Sequence, residues 1–156
     1  MRNSSEVASM NPTPFILSPG ARSPALNVVG IRINVLVADT DSAALRITFQ
    51  AGEEGAGPPP HTHDWDESFY VLHGEVVFTV AERTAACQAG TLIHIPAGTL
   101  HGFNFGPGGG EMLEITGAQS QAIEMFRALD RELAPGPVDV PKTVEVAAEY
   151  GVIFHL

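Results

Sequence analysis

The chain has 156 residues, 44% apolar and 17% charged, a composition that suits one globular domain able to bury a core without staples. Eighteen acids against eight bases give a formal charge of −10, which argues against nucleic acid or an anionic membrane surface as a partner, because both call for basic patches. Cys87 is the only cysteine, so no intrachain disulfide forms and a reducing compartment is expected.

No segment approaches the ~18 consecutive apolar residues of a membrane span. The opening Met-Arg-Asn-Ser-Ser-Glu-Val-Ala-Ser-Met-Asn-Pro-Thr-Pro has no apolar run suited to a signal peptide. The cytoplasm is therefore the expected location. Residues 1–13 are polar with prolines and are expected to be loose. From about Val28 the pattern turns strand-like. Leu45, Ile47 and Phe49 alternate with Arg46, Thr48 and Gln50, the mark of a half-buried strand. A Gly/Pro-rich loop follows. Strands are then predicted over Ser68–Leu72 and Glu75–Val80, separated by a turn at His73-Gly74, and further ones over Arg83–Cys87, Leu92–Ile95, Gly102–Phe105 and Met112–Thr116. Short strands with regular turn signals predict a sandwich or barrel of antiparallel sheets. In Ser120–Leu133, Ile123, Phe126, Leu129 and Leu133 recur at helical spacing, and Ala134-Pro-Gly-Pro ends that helix. A second short helix is expected from about Lys142 to Tyr150, with Gly151 as its stop. The expected organisation is a loose 1–13, a β domain over 14–117 and a helical extension, 118–156, packing on it.

His61 and His63 lie two apart, so a strand would point both to one face, roughly 6.6 Å from each other. Such a pair alone is more often two surface or loop histidines than two ligands. Glu67 has the same parity, but a straight strand would carry it roughly 13 Å beyond His63. To share an ion with the histidines the chain must bend within Asp64-Trp65-Asp66. Pro58–Pro60 would hold the approach extended and limit the entropy lost on ordering. Further on, His101 follows a Pro-x-Gly turn and by alternation shares a face with Phe103 and Phe105. Phe69 and Val71 share the face of Glu67.

Gly55, His61, His63, Glu67 and Gly74 stand at the spacing G-x5-H-x-H-x3-E-x6-G. Gly90, Pro96, Gly98 and His101 stand at G-x5-P-x-G-x2-H. In both motifs the sequence resembles the cupin superfamily, over roughly residues 28–117. Two positions depart from the pattern: Phe105 stands where the second motif ends in Asn, with Asn104 one place early, and Thr91 stands where many members carry an acid. Neither removes a ligand. The flanks and the C-terminal Tyr-Gly-Val-Ile-Phe resemble small single-domain cupins often described as quercetinase-like. The resemblance implies an all-β jelly-roll β-barrel (a double-stranded β-helix), here followed by two short helices. It also implies one divalent transition metal held by His61, His63, Glu67 and His101.

Three imidazoles and a carboxylate suit Fe, Mn, Co, Ni, Cu or Zn and disfavour Ca²⁺ and Mg²⁺. Four protein ligands on an octahedral ion leave two positions open, which suits a dioxygenase but equally an isomerase, a decarboxylase or simple ligand capture. Phe69, Val71, Phe103 and Phe105 are the predicted substrate pocket. No arginine or lysine stands in the motifs to clamp an anion, which favours neutral or phenolic small molecules. The leading expectation is a metal-dependent dioxygenase of a small aromatic or phenolic compound, with Glu67 as general base. The alternatives are a non-catalytic small-molecule-binding cupin and a metal-dependent isomerase or decarboxylase. His73 is expected in solvent, and His94, Asp64 and Asp66 are expected to point away from the metal. Cys87 is expected to be a small buried apolar residue. His155 has no assigned role, and Trp65 is either a lid or a subunit contact. A homodimer through the face bearing Tyr70 and Leu72 is the family-based expectation.

Overall fold

The computed structural model describes residues 12–156; the loose N-terminus expected over 1–13 therefore lies, for residues 1–11, outside the described residues. Among the described residues the strands are β1 (Leu26–Val28), β2 (Ile31–Val37), β3 (Leu45–Gly52), β4 (His61–Thr62), β5 (Glu67–Val80), β6 (Arg83–Gln88), β7 (Leu92–Ile95), β8 (His101–Gly117) and β9 (Ile153–Phe154). Helices α1 (Ala122–Glu132) and α2 (Val140–Glu149) stand between β8 and β9.

The two longest strands, β5 and β8, pair antiparallel from Glu67 against Thr116 to Val80 against His101. The far edge of β8 carries β3, which carries β2 and then β1. The far edge of β5 takes β7 along its first half and β6 along its second. Near its start β8 also takes β4, with His61 opposite His101, and β9 covers β4. The sheet curls into a jelly-roll barrel, which removes most of the edge a flat sheet would expose.

The turn predicted at His73-Gly74 is not formed. β5 runs straight through, with register shifts on either side of those residues. Gly74 takes φ +69, and a Cβ there would stand 2.3 Å from the Gly109 carbonyl oxygen, so only glycine lets the two strands meet. The two strands expected over 102–105 and 112–116 are likewise one, β8, continuous through Gly106–Gly110. Local His-Gly and Gly-Pro signals are overridden by the long-range ladder.

In β3 the sense of burial is inverted. Thr48 and Gln50 are buried, whereas Leu45 is exposed and Ile47 and Phe49 are only half-buried. The outward ring of Phe49 is covered by the Arg22 guanidinium, 4.4 Å from its centroid.

Helix α1 turns Ile123, Met125, Phe126 and Leu129 inward against the barrel, each side chain contributing about 1.5–3 kcal/mol by burial. Asp130 accepts a hydrogen bond from the Asn27 amide of β1 at 2.8 Å, tying the helix to the sheet. Helix α2 is capped by Asp139, whose carboxylate accepts from the Lys142 amide, and ends at Gly151, φ +80, the predicted stop. Among the described residues no helix is long and apolar enough to cross a membrane.

Candidate metal centre

Register puts His61 and His101 side by side across β4 and β8, with ring centroids 4.3 Å apart. His63 follows two residues after His61, its ring 4.8 Å from that of His101. All three are buried, and they offer nitrogen atoms within 4.8 Å of one another. The chain then bends at Asp64-Trp65, as required for Glu67 to come back. The bend is held by backbone and side chain together. Gly98 N–H donates to the His63 carbonyl at 2.8 Å, and Ala97 N–H donates to the Asp66 carboxylate at 2.9 Å. The Glu67 carboxylate consequently lies 3.1 Å from His63 Nε2 and 3.0 Å from His101 Nε2, not a strand's length away.

Each histidine is oriented from behind. His61 Nδ1 lies 2.9 Å from the Pro59 carbonyl, His63 Nδ1 3.0 Å from that of Trp65, and His101 Nδ1 2.8 Å from that of Thr99. A carbonyl only accepts, so each Nδ1 carries the hydrogen and each Nε2 is turned inward. Lone pairs on two imidazoles and a carboxylate repel at 3.0–3.1 Å unless positive charge lies among them. A proton on His101 or a divalent cation meets that need. Three neutral nitrogens and one carboxylate are a donor set that fits a transition metal, so the three histidines can hold one.

The electrostatics follow from burial and neighbours. Burial, with His101 close by, lowers the His61 pKa to about 4, so this ring is neutral at ordinary pH. Burial also works against charge on His101, but its hydrogen bond to Glu67 outweighs that and raises its pKa. Burial would raise the Glu67 pKa, yet close contact with the His101 and His63 rings holds it well below the usual carboxylate range. Burial of Glu114, reinforced by the negative charge of Glu67, pushes its pKa well above that range.

Glu114 went unassigned from sequence. Its carboxyl lies close enough to feel the charge of Glu67, and it accepts from Gln50 Nε2 at 3.0 Å and from the Thr48 hydroxyl at 3.3 Å. A polar string therefore runs from the histidines through Glu67 and Glu114 to β3. Its signal was the alternation of Met112, Glu114 and Thr116, all buried on one face of β8.

Of these groups, His61, His63, Glu67, Gln50 and Glu114 line a cavity of about 90 Å³, and His101 is not part of its lining. Its barrel wall includes Val28, Ile31, Ile33, Phe69 and Phe103, and the tail supplies Met125, Phe126, Leu129, Val152 and Phe154. Among the described residues no lysine or arginine lines it. Of the four predicted pocket residues, Phe69 and Phe103 line the cavity. Val71 and Phe105 do not, and both are fully buried in the core beyond it. Trp65 is neither a lid nor a surface contact in the described chain. It is buried, lines the cavity and stacks on His63 with centroids 4.3 Å apart and planes 8° apart. Its indole N–H is buried without a hydrogen-bond partner.

The residues set aside fall elsewhere. His73, His94 and His155 are exposed, His94 lying 2.8 Å from the Ser68 hydroxyl. Asp64 and Asp66 are exposed on the opposite face, with Asp66 engaged by Ala97 N–H. Cys87 is buried, and burial pushes its thiol pKa up.

Residues 46–116 match the family model described as a cupin domain. No curated protein sequence matches the chain. Among solved structures, the chain resembles the polyketide cyclase RemF from Streptomyces resistomycificus at 22% identity and a TM-score of 0.61, covering 68% of this chain and 80% of that one. It resembles KdgF from Halomonas sp. at 16% identity and a TM-score of 0.64, covering 71% and 99% respectively. It also resembles a predicted oxalate decarboxylase from Thermotoga maritima at 20% identity and a TM-score of 0.58, covering 65% and 97%. These likenesses are likenesses of fold.

Proposed function

From the match of residues 46–116 to the cupin-domain model and the cupin-like fold, we propose that the chain is a cupin and a metal-dependent dioxygenase of a small aromatic or phenolic compound. The reading is carried by one observation: His61, His63 and Glu67, with His101 buried beside them, stand at an apolar, partly aromatic cavity with no lysine or arginine among its described lining. His61, His63, Glu67 and His101 would hold the ion, and a redox-active divalent metal there would supply Lewis acidity and a centre for O₂. Phe69, Phe103 and Phe126 would pack against the rings of the substrate and exclude water. Glu67 would take the proton of a substrate hydroxyl, and the Trp65 indole N–H would offer a donor at the cavity wall.

A second reading keeps the same residues and needs no O₂: an isomerase, a decarboxylase or another proton-transfer enzyme. It is favoured by the Glu67–Glu114 carboxyl pair, which gives the site two acids in different charge states. The similarity to a polyketide cyclase and to a predicted oxalate decarboxylase supports it at the level of fold. A non-catalytic small-molecule binder is the reading left if neither chemistry is found. We further propose a homodimer through the face bearing Tyr70, Leu72 and Leu92, which are 40%, 42% and 63% exposed.

Anaerobic purification with metal analysis, followed by O₂ uptake against flavonols, catechols and diketones, separates these readings. Substrate-dependent O₂ uptake by the metal-loaded protein is the expected result. Conversion of a substrate without O₂ uptake would select the second reading, and no conversion with any metal would leave the binder.

A further inference from the structure

β9 pairs with one neighbour only among the described strands. Phe154 stands opposite His61, and Ile153 opposite Thr62. The Phe154 ring packs on the His61 imidazole at 5.5 Å, tilted by 54°. His155 N–H donates to the Pro60 carbonyl at 2.9 Å, next to the Pro59 carbonyl that takes His61 Nδ1–H. Just before β9, Gly151 lies on the Trp65 side of the site, where a Cβ would make only ordinary contact, 3.7 Å from Trp65 Cζ3. Trp65 is in turn the residue that stacks on His63 and accepts its Nδ1–H. One short stretch thus backs His61, and it lies outside the residues matched to the cupin domain.

We propose that Ile153–His155 is a positioning segment of the metal centre, with Phe154 acting on His61 directly. The proposal rests on the metal reading above. A histidine ligand has two side-chain torsions to fix. The Nδ1–H···O=C bond restrains the ring about one direction, and a ring packed against its face removes the remaining freedom. Without that packing, the Nε2 lone pair of His61 aims at the point it shares with His63 and His101 for only part of the time.

The test is titration of Co²⁺ into full-length, metal-stripped protein, read as affinity and as the visible absorption of the bound ion. Phe154→Ala is expected to weaken Co²⁺ binding by about 10- to 100-fold, the range for losing an outer contact of a ligating histidine, and to change the absorption bands. Phe154→Tyr, which keeps the ring, is expected to restore both. Val146→Ala, buried in α2 and not part of the cavity lining, is expected to lower Tm while leaving affinity and spectrum unchanged. If Phe154→Ala behaves like Val146→Ala, the proposal is overturned and Phe154 is ordinary packing. Should Phe154→Ala not fold, Phe154→Leu keeps the bulk without the ring and is read the same way. Failure of the unsubstituted protein to bind Co²⁺ would remove the metal reading, and this proposal with it.

Discussion

The indole of Trp65 lies flat against the imidazole of His63, their planes 8° apart. Trp65 is the only tryptophan, so the protein's indole emission reports on one place. Cu²⁺ bound at His63 is expected to quench most of that emission in a saturable 1:1 titration, and Zn²⁺ is expected to shift it without comparable quenching. Unchanged emission with one equivalent of Cu²⁺ bound would place the ion elsewhere.

Glu67 combines contact with two imidazoles and a carboxylate kept ionised at ordinary pH. Glu67→Gln preserves its shape but cannot take a proton. Turnover of a phenolic substrate is expected to fall by about 10²- to 10⁴-fold, the usual contribution of a general base, with a smaller loss of bound metal. Parallel loss of turnover and metal content would reject the base role and leave Glu67 a ligand only.

Glu114 satisfies Gln50 and Thr48 inside the barrel. Glu114→Leu strands those partners and is expected to cost about 1–3 kcal/mol for each buried group left unpaired. Glu114→Gln keeps an acceptor for Gln50 and a donor toward Glu67, and is expected to cost less than about 1 kcal/mol. Urea unfolding of both variants is the measurement. Equal destabilisation would mean that burial of the carboxyl itself, and not its partners, matters.

Phe126 reaches from α1 into the cavity wall. Phe126→Ala is expected to destabilise by about 3 kcal/mol, the low end for a buried phenylalanine because one side already faces open space. It is also expected to admit bulkier flavonols, read as a lower KM for them relative to catechols. A uniform loss across the panel would show that Phe126 supports the fold without selecting the substrate.

Tyr70 and Leu92 face each other across β5 and β7, and Leu72 stands two residues beyond Tyr70. An exposed apolar group of this kind is the expected centre of a subunit contact. Light scattering is expected to give twice the 16.5 kDa of the chain, and Leu72→Arg to return it to a single chain. A mass of one chain for the unsubstituted protein would refute the dimer.

The four candidate ligands, named from a long and specific spacing, came together in the structure, and the bend at Asp64-Trp65 followed from arithmetic: only a bend brings Glu67 within 3.1 Å of His63. Alternation named faces correctly but not height along the barrel. Phe69 lines the cavity, and Val71, on the same face, is sealed in the core. Glu114 was hidden because one acid in an apolar strand looks outward until its partners, Gln50 and Thr48, are brought from a strand more than sixty residues away. The turn at His73-Gly74 failed for a similar reason. Only pairing with the distant glycines of β8 shows that Gly74 is a close crossing of strands, not a reversal.

The ion's four candidate ligands all fall within residues 46–116, whereas much of the cavity wall, from Val28 to Ile33 and from Ala122 to Phe154, falls outside them. Under the proposed function, reactivity and choice of guest would be written in different stretches of the chain. A relative that keeps the inner stretch and exchanges its ends would retain the reactive centre while receiving a differently shaped molecule. Grafting the ends of one such chain onto another is a route to altered selectivity, provided that the graft retains an aromatic ring over His61.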